Sequence, residues 1–285
     1  MNAPRGRKLY EHGLLVAYRT TPELGQPAEV WALVDAFRDD PRMVAMFEDA
    51  RRFLELHEAP CLPRLVDDGD REFLVTAPPW VGLDTIVARG AELGGVALDL
   101  VIAYMHALAR AMATLPALIM LRTFDPMSLA ITTGGAPRLL DFTLAQYERR
   151  RVTTEPGILK GVPAYLSPEL ARGGRFTTRS DVFSLALVAR ELVTGRRVFT
   201  GTPIEILRAL QSAALPDLRD ECDDLPMDFV LVLERMLQRD AVRRPSWAEI
   251  AEALAPMVAW TPERVFDEVN RLAPTETEAA IVYGF

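Results

Sequence analysis

Few side chains in this sequence have the chemistry for a reactive or metal site, and their spacing serves neither. Cysteine occurs twice, as Cys61 and Cys222, with no Cys-x-x-Cys pair, and there are three histidines. A disulfide framework and a zinc cluster are therefore excluded, and the thiols suit a reducing cytosol. Acidic residues exceed basic ones to give a net charge of −8, without a sustained basic stripe. Such a chain would repel a polyphosphate backbone, so no nucleic acid is expected as a partner. A compact basic run, Arg149-Arg150-Arg151 beside Thr153 and Thr154, reads as a solvated loop.

The elements that must position any site fall into two groups. From Leu9 to about Ala77 the sequence is strand-rich: Leu14-Leu15-Val16-Ala17-Tyr18 and Val30-Trp31-Ala32-Leu33-Val34 flank the turn-forming Pro22-Glu23-Leu24-Gly25-Gln26-Pro27. A helix is predicted from Pro41 to Leu56, then strands at Arg64–Val66 and Glu72–Ala77. After Pro78-Pro79 the character turns helical. Asp181–Thr194 is apolar on nearly every side and stops at Gly195, as a helix buried inside a large domain does. Further helices are predicted at Ile204–Ala213, Met227–Gln238 and Ser246–Met257. The most apolar stretch, Ala97–Leu121, carries Asp99, His106 and Arg110, which a membrane span would rarely hold, and its apolar positions Leu98, Val101, Ile102, Met105, Leu108 and Met112 follow the helical spacing of a core helix. No apolar run follows Arg5, Arg7 and Lys8, so no signal peptide is expected. The protein is expected to be cytoplasmic, away from membranes.

Gly161-Val162-Pro163-Ala164-Tyr165-Leu166-Ser167-Pro168-Glu169 resembles the end of the activation segment in bacterial Ser/Thr (Hanks-type) protein kinases. Ser180-Asp181-Val182-Phe183-Ser184-Leu185 is similar to the start of that family's central helix, and Arg239–Ser246 to its late Arg-Pro motif. Leu139-Leu140-Asp141-Phe142-Thr143 is similar to the strand carrying Asp-Phe-Gly. The resemblance covers residues 9–257 and implies an α+β, bilobal fold. A small β-rich lobe would occupy 9–77, a hinge 78–82, a larger helical lobe 83–257, and a C-terminal helix and tail 258–285. It also implies that Glu169 pairs with Arg244, that Asp181 accepts hydrogen bonds from the catalytic-loop backbone, and that Phe142, Leu121 and Phe53 stack in an internal apolar column.

For catalysis the resemblance implies loss. Counting back from Asp141 puts the catalytic loop on Leu121–Ser128, with Thr123 at the catalytic Asp and Ser128 at the metal-binding Asn. Asp125, two residues on, is the available substitute. Val34 falls at the phosphate-holding lysine, and no lysine occurs between Lys8 and Lys160. Its partner on the next helix, Asp49 or Glu48, then reads as a solvated helix-face acid. Only Gly13 stands where a glycine-rich loop belongs, and Leu14 and Leu15 would obstruct a phosphate. The adenine donor position falls on Pro79, or on Pro78 in the adjacent register, and proline has no N–H. Asp141 reads as a residual acid before a packing Phe, with Thr143 replacing the glycine that lets this loop flip. Val162 replaces the Thr that would contact the missing Asp.

The expectation is a pseudokinase with no ATP or Mg²⁺ cofactor, acting on a protein partner (an active kinase or another signalling protein) as a scaffold or allosteric regulator in signalling. The alternatives are an atypical kinase using Asp141 and Asp125, and a small-ligand sensor lined by Val34, Thr76 and Trp80. Beyond Trp260, Thr261 is a good N-cap and Pro262 suits the first helical position. Val265, Phe266, Val269 and Leu272 share a face, so a helix is predicted to about Ala273. Thr275–Glu278 leads into an apolar end, 279–285, which would dock on the domain or on a partner.

Overall fold

Antiparallel strand pairing organises the N-terminal third. The computed structural model describes residues 6–20, 28–68, 72–76, 78–122, 124–151, 161–212, 215, 217–222 and 224–274. Strands β1 (Lys8–His12), β2 (Leu15–Arg19), β3 (Ala28–Leu33), β4 (Arg64–Asp68) and β5 (Glu72–Thr76) form an antiparallel sheet in the order β1-β2-β3-β5-β4. Register pairs Tyr10 with Ala17, Ala17 with Trp31 and Trp31 with Phe73, so one row of side chains crosses the inner face. All four are buried. Helix α1 (Pro41–Leu56) starts at Asp40, whose carboxylate accepts from the N–H of Arg42 and Met43, and it packs Met46, Phe47 and Phe53 under that row.

A second sheet, β6 (Trp80–Gly82), β7 (Leu129–Thr132) and β8 (Pro137–Leu139), lies at the junction with the helical lobe. Helices α2 (Leu83–Leu93), α3 (Leu98–Ala113), α4 (Pro168–Ala171), α5 (Thr178–Thr194), α6 (Pro203–Ser212), α7 (Met227–Met236) and α8 (Trp247–Leu254) make up that lobe. Helix α5 is buried from Ser180 to Thr194 and ends at Gly195, whose φ of 66° and close approach to the Gly90 carbonyl leave no room for a Cβ. Helix α9 (Pro262–Leu272) is capped by Thr261 and buries Val265, Val269 and Leu272 against the domain, touching α2 and α3. Among the described residues no helix is long and apolar enough to cross a membrane.

The architecture is the bilobal α+β arrangement expected. Strand ends differ in places: β4 runs on to Asp68, past the expected end at Val66, and β3 stops at Leu33, because Val34 begins a short 3₁₀ turn, Asp35–Phe37. The turn at 22–27, Ala77, Thr123, Thr153, Thr154 and the tail 275–285 lie outside the described residues.

Candidate functional site

Between the lobes, side chains fill the space under the sheet. Glu29 of β3 is buried opposite Arg138 of β8, with Nη2 donating to Oε2 at 2.7 Å and Nη1 to Oε1 at 3.3 Å. The same carboxylate accepts the indole N–H of Trp31 at 2.9 Å and of Trp80 at 2.8 Å. Arg138 lies over both indoles, 5.9 Å from the Trp31 ring and 5.6 Å from the Trp80 ring, and it also donates to the Pro78 carbonyl at 3.4 Å. Burial lowers the Arg138 pKa and Glu29 opposes the shift. A buried charge is costly unless it is paired and fully hydrogen-bonded, and the Glu29 carboxylate accepts four such bonds. Below, Trp31 stacks on Phe142 at 5.5 Å, and Tyr10 closes the front 6.3 Å from Trp31 and from Trp80. A slot of about 240 Å³ remains at the mouth, bordered by Arg7, Tyr10, Trp80, Asp84 and Leu140.

The lysine position therefore needs correcting. Val34 was placed there by sequence, yet it lies beyond the end of β3, whose inward-facing side chains are Glu29, Trp31 and Leu33. Val30 packs instead with Ala28 and Leu74 on the other face. Val34 and Thr76 border neither cleft cavity, and only Trp80 of the three expected sensor residues does. The Pro79 carbonyl accepts from Thr133 N–H at 2.8 Å, so both hinge prolines act through their C=O groups.

Deeper in the cleft the acids are structurally engaged. Asp125 Oδ1 accepts the N–H of Met127 and Ser128, and Ser128 Oγ closes the capping box by donating to the Asp125 carbonyl at 2.9 Å while accepting the Asp125 N–H. Ser128 thus spends its hydroxyl on the backbone. Asp141 Oδ1 accepts from Thr143 N–H at 2.8 Å and from Thr143 Oγ at 2.7 Å. Burial raises both acids, Asp125 to about 6, with His12 opposing the rise. His12 Nε2 is 3.9 Å from Asp125 Oδ2. Gly13 turns the chain at φ 57°, and a Cβ there would sit 3.3 Å from Asp141 Oδ2, so the β1–β2 turn closes down over Asp141. His12, Gly13, Asp125, Asp141, Thr143 and Val162 border one cavity of about 440 Å³. Among the described residues no group of three or more His, Cys, Asp or Glu is arranged to hold a metal ion.

Two further sequence expectations are corrected. Asp49 is not a solvated helix-face acid. It is buried, and its carboxylate accepts the Arg151 N–H at 3.1 Å with Arg150 Nε 3.8 Å away, while Glu48 is half-buried. Arg150 is not in a solvated loop either, since its guanidinium is buried against the carbonyls of Thr143, Leu144 and Ala145. Helix α1 is thereby tied to the strand-end segment that follows Phe142.

The remaining anchors lie in the helical lobe. Asp181 accepts the N–H of Leu121 at 2.8 Å and of Arg122 at 2.9 Å, and this holds Arg122 at φ 66°. Burial lifts the Asp181 carboxyl to about 7 against those two hydrogen bonds. Glu169 receives a two-pronged pair from Arg244, at 2.8 and 2.7 Å, plus the Ser180 hydroxyl at 2.7 Å. Phe53 and Phe142 meet at a tilt with ring centroids 5.8 Å apart, and Leu121 is buried. Sequence reasoning missed Glu29, Trp31, Arg138 and Tyr10. Their signal was opposite charges at inward positions of otherwise apolar strands.

The protein kinase domain family matches residues 96–254, more than half of the 285-residue chain. The chain belongs to the protein kinase domain family. It is 28% identical over 232 residues to the tyrosine-protein kinase MasK of Myxococcus xanthus, covering 76% of this chain and 36% of that protein. It is 29% identical over 247 residues to the serine/threonine-protein kinase pkn2 of the same organism, covering 81% and 29%. A shorter match, 35% over 145 residues, joins 49% of the chain to 22% of the DNA damage-responsive serine/threonine-protein kinase RqkA of Deinococcus radiodurans. The aligned stretch thus spans about a third or less of these relatives.

Proposed function

We propose that this kinase-like domain is a pseudokinase: it transfers no phosphoryl group, takes neither ATP nor Mg²⁺, and works in the cytoplasm by binding another protein. The observation that carries this reading is the Glu29–Arg138 pair held between Trp31 and Trp80, in the space a purine would need beside the hinge. Two features support it. Both candidate hinge donors are prolines, and the carboxylate and hydroxyl that would hold a divalent cation, Asp141 and Ser128, are bonded to Thr143 and to the Asp125 backbone.

Thermal unfolding with and without ATP and Mg²⁺ tests the proposal. A ligand at about 100 times its Kd stabilises by about 2.7 kcal/mol. For a chain of this size that is a rise of about 5 °C or more in Tm. The expected shift with millimolar ATP·Mg is below about 1 °C on the same scale. A metal-dependent rise of several degrees would overturn the reading. It would favour an atypical kinase instead, for which the shared cavity of Asp125 and Asp141 is the supporting observation.

A further inference from the structure

A binding module needs a face, and the base of the helical lobe supplies one that the cleft does not explain. An open cavity of about 400 Å³ lies between α5, α6 and α7, walled by Phe183, Phe199, Leu210, Leu218, Val230 and Leu233. Glu234 and Gln238 of the α7 region lie on its rim. Met227, Leu231, Glu234 and Gln238 fall at helical spacing, so the apolar pair continues the rim along one face. Met227 is 52% exposed and Leu231 48%, an unusual outlay of large apolar surface on two adjoining turns.

The charge around this apolar strip is mixed, since Arg190 and Arg239 also line the cavity, but its sum along the segment is acidic. Between Asp217 and Asp240 there are eight carboxylates against three arginines, a net −5 within a chain of net −8. Asp217 borders the cavity, and Asp220, Asp224 and Asp228 are exposed along the segment leading into α7. Part of the acid is neutralised internally: Arg190 holds Glu221 at 2.7 Å, and Arg219 holds Asp217 at 2.6 Å. The excess remains negative.

We propose that this groove docks a basic, amphipathic segment of a partner protein, with its apolar side chains in the cavity and on Met227 and Leu231, and its Lys or Arg residues facing the acidic rim. The inference rests on the binding-module reading and names where the binding occurs. Charge selects the occupant. A second copy of this chain would bring the same acidic rim and be repelled. The chain's own residues 275–278, Thr-Glu-Thr-Glu, carry the same sign and are no better matched. Opposite charge around an apolar centre is the pattern that both steers encounter and excludes wrong partners.

The test uses the full chain and a fluorescein-labelled synthetic peptide of about 18 residues, five helical turns, with Leu and Phe on one face and Lys and Arg on the other. Fluorescence anisotropy should show saturable binding that weakens several-fold between about 0.05 and 0.3 M salt, as the screening length shortens. The double variant Met227→Glu/Leu231→Glu should weaken it about tenfold or more, a change of about 1.4 kcal/mol or above. Asp224→Lys/Asp228→Lys, on the exposed segment, should weaken it without touching the apolar strip. Leu118→Glu, on an exposed leucine outside the groove, should leave it unchanged. Absence of binding overturns the groove, as does equal binding by a charge-inverted peptide or equal loss in Leu118→Glu. The two readings fail separately. Tight ATP·Mg binding refutes the nucleotide-independent function whatever the peptide does, and a silent peptide with no ATP shift refutes only the groove.

Discussion

Substituting Glu29 by Ala asks most directly how the cleft is held. The change strands Arg138, a fully buried guanidinium, and removes the acceptor from two indole N–H groups at 2.9 and 2.8 Å. Breaking a buried pair by deleting one partner costs about 3–5 kcal/mol, because the surviving charge keeps its desolvation penalty. Each orphaned N–H adds about 1 kcal/mol or more where water cannot reach it. The Pro78 carbonyl and the two ring faces offset part of this for Arg138. We therefore expect Glu29→Ala to lose about 4 kcal/mol, a large share of the 5–15 kcal/mol typical of a folded protein. Adding Arg138→Met removes the stranded charge, so the double variant should recover at least about 2 kcal/mol of that loss. Urea unfolding followed by tryptophan fluorescence reads both, since Trp31 and Trp80 report on the site itself. A loss below about 1 kcal/mol for Glu29→Ala, or no recovery in the double variant, would refute the pair as the element that closes the cleft.

Glu169→Ala should lower stability by about 3–5 kcal/mol, because Arg244 is buried and left with backbone carbonyls and the Phe183 ring but no counter-charge; unchanged melting would refute the pairing. Asp141→Asn should cost no more than about 1 kcal/mol, since the amide oxygen still accepts from Thr143 and a buried charge is removed; a larger loss in a urea titration would assign Asp141 a further role. Stability should fall as pH rises from about 4 to 7, because Asp125 and Asp181 hold protons in the folded state that the unfolded chain has released. Glu169, whose pKa is lowered against the pull of burial by Arg244 and Ser180, acts in the opposite sense, and its contribution is lost only in stronger acid. Asp125→Asn should remove about 1.4 kcal/mol of the pH 5 to 7.5 difference in urea stability, and identical slopes would refute it. Val269→Asp on α9 should cost about 2–4 kcal/mol, limited by undocking of the helix, and equal proteolytic resistance of wild type and variant would show that the helix is not held by the domain.

Much of the fold was legible because single residues announce it. Pro41 after Asp40, Gly195 after a helix apolar on nearly every side, and Thr261-Pro262 each mark a helix end through local backbone chemistry. The Glu169–Arg244 pair and the Asp181 anchor were legible only through resemblance, since their partners are far apart in sequence. The cleft was less legible. Sequence counted the catalytic groups it expected to be lost and could not say what fills the cleft, because Glu29 and Arg138 meet across the interlobe space from positions 109 residues apart. Val34 was misplaced for a related reason. The short turn Asp35–Phe37 ends β3 one residue early, and in a strand a shift of one residue exchanges the two faces. Asp49 and Arg150 looked solvated because each is charged, yet each is the other's neighbour in the interior.

These substitutions act together on the relation between the lobes. In a cleft that exchanges ligands, the facing surfaces must tolerate water when empty, so they are polar and movable. Here β3 contributes Glu29 and Trp31, β6 contributes Trp80, β8 contributes Arg138, and the segment after β8 contributes Phe142, all joined through one carboxylate and one ring stack. Separating the lobes would expose a guanidinium and a carboxylate to rehydration, yet it would also uncover three aromatic rings. The aromatic area favours closure at about 25 cal/mol per Å², and the ion pair adds directional bonds that fix one register. Asp49 ties α1 to the same unit through Arg150 and the Arg151 backbone. On the proposed reading, a domain closed in this way would give up the motion that nucleotide exchange requires and gain a constant outer surface. That is the property a partner-binding face on the helical lobe would use.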